Sequence, residues 1–149
     1  MTDIALLWDN EAFGADLALT GGDLATDDGL RTAFLISLFT DARARADDVL
    51  PQAGGDPRGW WGDAFGEDQD GPIGSRLWLL DREKRTGTTL TRARDYATEA
   101  VAWLIAASIC TSIDIEVEAQ GEALAIALYP TRPGGPARQR FDFLWTGSI

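Results

Sequence analysis

Ile113-Asp114-Ile115-Glu116-Val117-Glu118, then Gln120-Gly121, then Leu124-Ala125-Ile126-Ala127-Leu128: this run decides the architecture of the chain. Apolar side chains recur at every second position on both sides of the Gln-Gly pair, which is the period of a strand with one buried face. The Gln-Gly pair itself supplies a hairpin turn. Beyond a turn-rich connection at 130–136, Phe141, Phe143 and Trp145 repeat the same period in a strand over 140–145. The result is a three-stranded antiparallel meander. Immediately upstream the period changes to that of a helix. Leu90, Ala93, Ala97, Val101, Leu104 and Ser108 mark one face of a segment over about 89–109. Its second half is apolar nearly all round, which predicts a central helix with the meander packed on it.

Two more helices are expected before it. Leu30, Phe34 and Leu38 recur at intervals of four beside a second row of Leu35, Phe39 and Ala42. Thr26, Asp27 or Asp28 can cap that helix, and Arg43 and Arg45 suit its last turn, before Asp47-Asp48 and Pro51 end it. A shorter helix is predicted over about 75–84, with Leu77, Trp78 and Leu80 inside and Thr86-Gly87 breaking it. At the N-terminus, residues 3–8, 16–19 and 23–25 read as short strands, with Gly21-Gly22 as a turn. The expected fold class is therefore α+β: small N-terminal antiparallel strands, three helices, and a C-terminal three-stranded antiparallel meander on the long third helix. One domain is expected across residues 1–149, with a long Gly/Pro/Trp loop at about 51–75. Two adjacent tryptophans, Trp60 and Trp61, would be costly to leave wet in a disordered loop, so the loop should be pinned to its own core or to a partner.

The 149 residues include 24 acidic and 13 basic side chains, a net charge of −11 with a pI near 4.3. Nucleic acid and anionic membrane surfaces are disfavoured partners for such a chain. The surplus is uneven. Residues 1–75 hold 15 acids against four arginines, whereas residues 76–149 hold nine of each sign. A solvated acidic surface is the plainer reading, and a basic partner facing the first half is the sharper one. No secretory signal is expected, since Met1-Thr2-Asp3 lacks a basic start. No stretch reaches the length of a membrane span.

Chemistry is harder to find. Histidine is absent, which removes Ser-His-Asp triads and His-bearing zinc sites. A single cysteine, Cys110, rules out an internal disulfide and reads as a small buried side chain. The sole lysine, Lys84, is not set in a phosphate loop. Asp47-Asp48 and Asp63, Glu67, Asp68 and Asp70 are the densest carboxylates. They lack the apolar flanks that would raise one pKa for glycosidase chemistry. Asp68-Gln69-Asp70-Gly71 resembles the start of a calcium loop but departs from the required spacing. Arg92 and Arg94 are expected to pair with Asp95, Glu99 or other nearby acids along the helix. What remains suits contact: Trp60 and Trp61 as hot-spot residue types, and a free edge in the C-terminal sheet. Trp78 and Trp103 are expected in the protein's own core.

Several segments taken together resemble one family. They are Asp23-Leu24-Ala25-Thr26-Asp27-Asp28-Gly29-Leu30, Ile36-Ser37-Leu38-Phe39-Thr40-Asp41 and Arg58-Gly59-Trp60-Trp61-Gly62-Asp63. Gly74-Ser75-Arg76-Leu77-Trp78-Leu79-Leu80 and Thr89-Leu90-Thr91-Arg92-Ala93-Arg94-Asp95-Tyr96-Ala97 complete the set. Their order and spacing are similar to those of Mu-like bacteriophage baseplate wedge proteins of contractile tails. The resemblance implies a non-enzymatic structural subunit without a cofactor, metal or catalytic residue. Its neighbours would be other wedge proteins, tail tube or hub proteins and the first sheath layer. Its location would be the virion baseplate, after assembly in the host cytoplasm. The candidate partner-contact residues are Arg58, Trp60, Trp61, Asp63, Arg76, Arg92 and Arg94. The alternatives are a small acidic hydrolase acting on cell-wall glycan and a stand-alone acidic binding module.

Overall fold

A computed structural model describes residues 3–27, 29–65, 71–137 and 139–147. In order along the chain come β1 (Asp3–Ile4), β2 (Leu6–Asp9), β3 (Gly14–Leu17), β4 (Leu19–Thr20), β5 (Asp23–Leu24), β6 (Thr26–Asp27) and α1 (Leu30–Phe39). Two single 3₁₀ turns, Trp61–Ala64 and Leu77–Leu80, precede α2 (Gly87–Ala106). The chain closes with β7 (Ser112–Gln120), β8 (Ala123–Thr131) and β9 (Phe141–Trp145).

The C-terminal meander forms in the order β7-β8-β9, both pairs antiparallel. Register sets Ile115 opposite Leu128 and Val117 opposite Ile126, while Ile126 also faces Phe143 and Leu124 faces Trp145. These side chains share one face, as the alternation requires. That face meets α1 through edge-on aromatic pairs, Phe34 with Phe141 at 5.1 Å and Phe39 with Phe143 at 5.8 Å. α2 lays Ala93, Ala97, Ala100, Val101 and Leu104 into the same cluster. Three alanines on its inner face let the helix approach closely.

Three helices are predicted from the sequence, but the described residues contain two α-helices. The segment at 75–84 forms only the single 3₁₀ turn Leu77–Leu80, so the long helix that carries the sheet is the second. All four residues of that turn are buried, so it has no wet face to continue on. Asp81 then turns extended and Arg82 takes a φ of 64°, which ends the turn. α1 is also shorter than its pattern. Thr40 leaves the helix because its carbonyl accepts the Ser75 N–H at 2.9 Å, while the Ala42 N–H donates to the Ser75 carbonyl at 2.9 Å. This parallel bridge pulls residues 40–42 straight, so Arg43 and Arg45 lie beyond the helix instead of in its last turn. α2 ends at Ala106, with Trp103 and Ile105 among the exposed apolar side chains, so its final turn is not the all-round buried helix its composition predicts.

At the start of α1, Asp27 does the work of a cap from two residues ahead of Gly29. Its Oδ1 accepts the Gly29 N–H, and its Oδ2 accepts the Thr32 hydroxyl at 3.0 Å and the Thr32 N–H at 3.3 Å. Asp28 lies outside the described residues. α2 is capped by Thr86, whose Oγ1 accepts the Thr89 N–H at 3.3 Å.

The N-terminal strands are interrupted at three alanines, and the reason is topological. β1 pairs with β6, β2 with β3 and β4 with β5. At the point where these ladders meet, three backbone bonds close a ring: Ala5 N–H to Ala25 O (2.8 Å), Ala25 N–H to Ala18 O (2.8 Å) and Ala18 N–H to Ala5 O (3.0 Å). The ring satisfies one donor and one acceptor of each residue at a crowded centre.

Candidate protein-contact site

Residues 40–65 and 71–76 form a platform held at several places. The Ala44 N–H donates to the Pro57 carbonyl at 2.8 Å, and the Ser75 hydroxyl donates to the Leu38 carbonyl. Gly74 has φ +98°, and a Cβ there would run into the Thr40 carbonyl, so only glycine lets the strand-like bridge close. Arg58 reaches back across the loop: its guanidinium binds Asp41 at 2.8 Å and stacks 4.5 Å above the Trp78 ring. Trp78 is buried and donates its indole N–H to the Ala42 carbonyl at 2.7 Å.

Arg76 carries the strongest anchor. One guanidinium nitrogen reaches both Asp48 oxygens at 2.7 and 2.9 Å, and the other reaches both Glu99 oxygens at 3.0 and 2.8 Å. The side chains of Arg76 and Asp48 are only 11% and 10% exposed. Burial pushes the Asp48 carboxyl up, yet the Arg45 backbone N–H and the Arg76 guanidinium outweigh it and hold the group below its ordinary range. Two cations pack on Tyr96, Arg76 at 4.5 Å and Arg92 at 5.7 Å from its ring centre. Arg92 also binds Glu83 at 2.6 Å and donates to the Tyr96 hydroxyl at 3.1 Å. Its partners are therefore Glu83 and Tyr96, not Asp95 or Glu99. The Arg92 pKa is raised by the Tyr96 and Glu83 hydrogen bonds, against a lowering by burial.

The tip of the platform is different. Trp61 and Phe65 are 74% and 81% exposed, with Trp60 at 47%. Their rings form a chain, Trp60 to Trp61 at 5.5 Å and Trp61 to Phe65 at 6.1 Å. Trp60 folds over Gly62, where any Cβ would enter the indole. Asp63 ties the tip to the segment before Gly74, its Oδ1 accepting the Ile73 N–H at 3.2 Å.

The seven candidate residues thus separate. Arg58, Arg76 and Arg92 direct their charge at internal partners. Trp61 and Asp63 share the 3₁₀ turn at the tip, and Trp60 directly precedes it. Arg94 is exposed on α2, with no ion pair among the described residues. Phe65, one helical turn after Trp61, and the acids Asp48 and Glu99 belong to the site although no motif in the sequence singled them out for it. The spacing of Phe65 from Trp61 was the available signal. Glu67, Asp68 and Asp70, which carry the hydrolase and calcium-loop readings, lie outside the described residues.

Other features bear on contact. Trp103 is half-exposed rather than a core residue, but its indole N–H is held by the Ser37 hydroxyl at 2.9 Å. An open groove of about 610 Å³ runs past Trp8, Phe13, Phe39, Trp78 and Trp145. One edge of the sheet is blocked: the Trp8 indole N–H donates to the Leu144 carbonyl at 3.0 Å, and Asn10 accepts the Leu144 N–H at 3.2 Å. Strand addition at β9 is therefore obstructed at Leu144, and β7 is the other outer strand. Cys110 is buried, and burial pushes its thiol up, against a smaller lowering by Arg132.

The family model for phage protein GP46 matches residues 30–137, from α1 into the connection before β9. A protein named Baseplate protein gp46, from Escherichia phage Mu, is 52% identical over 118 residues, covering 79% of this chain and 78% of that one. A Mu-like prophage FluMu protein gp46 from Haemophilus influenzae is 36% identical over 142 residues, covering 94% of each. The platform with its aromatic tip, α2 and the β7–β8 hairpin all fall within the matched span, and on these matches the chain belongs to the phage GP46 protein family.

Proposed function

We propose that this chain is a structural subunit of the tail baseplate of a Mu-like phage or prophage particle, acting as one domain and working by contact without bond chemistry. The observation that carries this reading is the exposed aromatic chain of Trp60, Trp61 and Phe65 on a loop fixed from behind by Arg58, Gly74 and Arg76. Aromatic side chains on a pre-ordered support are hot-spot material, because little conformational freedom is lost when a partner covers them. The phage Mu relative bears the name of a baseplate protein, which fits this use. In our reading the neighbours are other wedge proteins, tube or hub proteins and the first sheath layer, with the subunit sitting where the sheath begins. The glycan-hydrolase alternative gains no support from Asp48, whose carboxyl is held low where a general acid needs it raised.

The test is complementation of a Mu-like phage lacking its own copy of this gene. The wild-type chain should appear in purified tails and restore them. Trp61→Ala and Phe65→Ala should fold as the wild type in isolation and lower tail yield at least about tenfold, the loss of about 1.4 kcal/mol of assembly energy. Absence of the wild-type chain from purified tails, or normal tails with both variants, would refute the proposal.

A further inference from the structure

The hairpin at 19–24 stands clear of the body. β4 and β5 set Leu19 opposite Leu24 and Thr20 opposite Asp23, and Gly21 and Gly22, both at positive φ, turn the chain between them. All six residues are exposed, Leu19 at 70% and Leu24 at 47%. Direct partners on antiparallel strands share a face, so the two leucines lie side by side. The root of this arm is rigid. Ala18 and Ala25, the residues on either side, are two of the three members of the backbone ring with Ala5. A two-stranded hairpin this short has no stability of its own. Here the ring orders it and holds two wet leucines away from the core. Leu17 and Leu7 on the adjoining ladder are also more than half exposed.

The charge around the arm selects its partner. The first 30 residues carry seven acidic side chains and no basic one. Asp16 and Asp23 are exposed beside the leucines. Two copies joined through this arm would bring like charges together as the leucines became buried, which is unfavourable. A surface with an apolar pocket and a Lys/Arg rim meets both properties at once.

We propose that the 19–24 hairpin is a docking finger whose Leu19–Leu24 pair enters an apolar pocket with a basic rim on a different protein of the same particle. This rests on the reading of the chain as a particle subunit, but concerns a surface separate from the aromatic tip.

The experiment places a photo-cross-linking amino acid at Leu19 in the full chain within assembled tails. It is paired with the double variant Leu19→Ser/Leu24→Ser and with Asp23→Lys. The expected result is a cross-link to a different polypeptide, at a peptide with neighbouring Lys or Arg. Both variants should keep the wild-type circular dichroism and melting temperature, and their incorporation into tails should fall at least about tenfold. A cross-link to a second copy, or a cross-linked site without basic residues, overturns the proposal. So do normal incorporation of the double variant and sedimentation of the isolated chain with phosphatidylcholine vesicles that the double variant abolishes. If the wild-type chain is itself missing from tails, the baseplate reading falls and this proposal falls with it. If the wild type is incorporated and the double variant matches it, only the docking finger is lost.

Discussion

Arg76→Ala should be the most damaging single change at the platform, and its cost can be worked from its partners. Removing the guanidinium leaves the Asp48 carboxylate charged at 10% exposure, held by the Arg45 backbone N–H and the more distant Arg45 charge. Breaking a buried ion pair in this way costs about 3–5 kcal/mol. The Glu99 half of the bridge is 44% exposed, so solvent screens it to about 0–1 kcal/mol. The Tyr96 face adds about 0.5–1 kcal/mol. At roughly 3 °C per kcal/mol for a chain of this size, the melting temperature should fall by about 10–20 °C at neutral pH. The sign of the pH dependence follows from Asp48. Its folded pKa lies below its unfolded value, so its contribution is complete above the unfolded value and is lost as pH falls through the folded one. The gap between wild type and Arg76→Ala should therefore be widest near pH 7 and narrow as pH drops from about 4 towards 2. Thermal melts across pH check this, together with a double-mutant cycle against Asp48→Ala. A shift under about 3 °C, a gap that does not depend on pH, or additive single costs would refute the assignment of Arg76 as the anchor.

Other outcomes separate scaffold from surface. Trp61→Ala should change folding stability by less than about 0.5 kcal/mol. Trp78→Ala should cost about 3–5 kcal/mol, since it empties a buried site. Urea titrations of the two variants compare them directly. Gly74→Ala should cost at least about 2 kcal/mol, because alanine is strained at φ +98° and its methyl meets the Thr40 carbonyl. A wild-type midpoint in denaturant would contradict that. Ala18→Leu should overpack the three-way junction by about 1–3 kcal/mol. Amide exchange at Ala5, Ala18 and Ala25 should then accelerate together, and independent changes at the three amides would argue against a closed ring. Cys110 should resist a thiol reagent at neutral pH until denaturant unfolds the chain, and rapid labelling of the native protein would show its burial to be wrong.

Legibility followed the range of the interactions. The meander was readable because alternation along Ile113–Val117 and Leu124–Leu128 is a local pattern imposed by one buried face, and the register keeps it. The inner face of α2 was readable for the same reason. Its last turn was not, because apolar composition does not distinguish a buried helix from one that leaves Trp103 and Ile105 outside. α1 ran short because a bond between Thr40 and Ser75, distant in sequence, outweighed local helix preference. The 75–84 segment lost its helix because Leu77, Trp78, Leu79 and Leu80 are all needed inside, which no amphipathic pattern expresses. At the site, Trp60 and Trp61 stood out by type, but their exposure depends on how the loop is tethered. The pairing of Arg76 with Asp48 and Glu99 joins three separate segments, so spacing carried no trace of it.

The arginines and the tryptophans of the platform divide one task between them. A loop that presents aromatic rings to a partner must be stiff, or ordering it would consume the energy those rings supply. The apolar core does not extend under the whole of 40–65, where nearly every residue is exposed or half-buried. Arginine answers that geometry. Its planar fork fixes two acids at once, as Arg76 does with Asp48 and Glu99, and its flat face stacks on an aromatic ring, as Arg58 does on Trp78. Lysine could supply the charge but neither the fork nor the stack. Arg76→Lys should then keep the attraction to Asp48 yet loosen the loop: amide exchange should rise across 58–65 while the core helices remain protected. Unchanged protection of 58–65 in that variant would mean that charge alone holds the platform, and the argument from arginine's shape would fail.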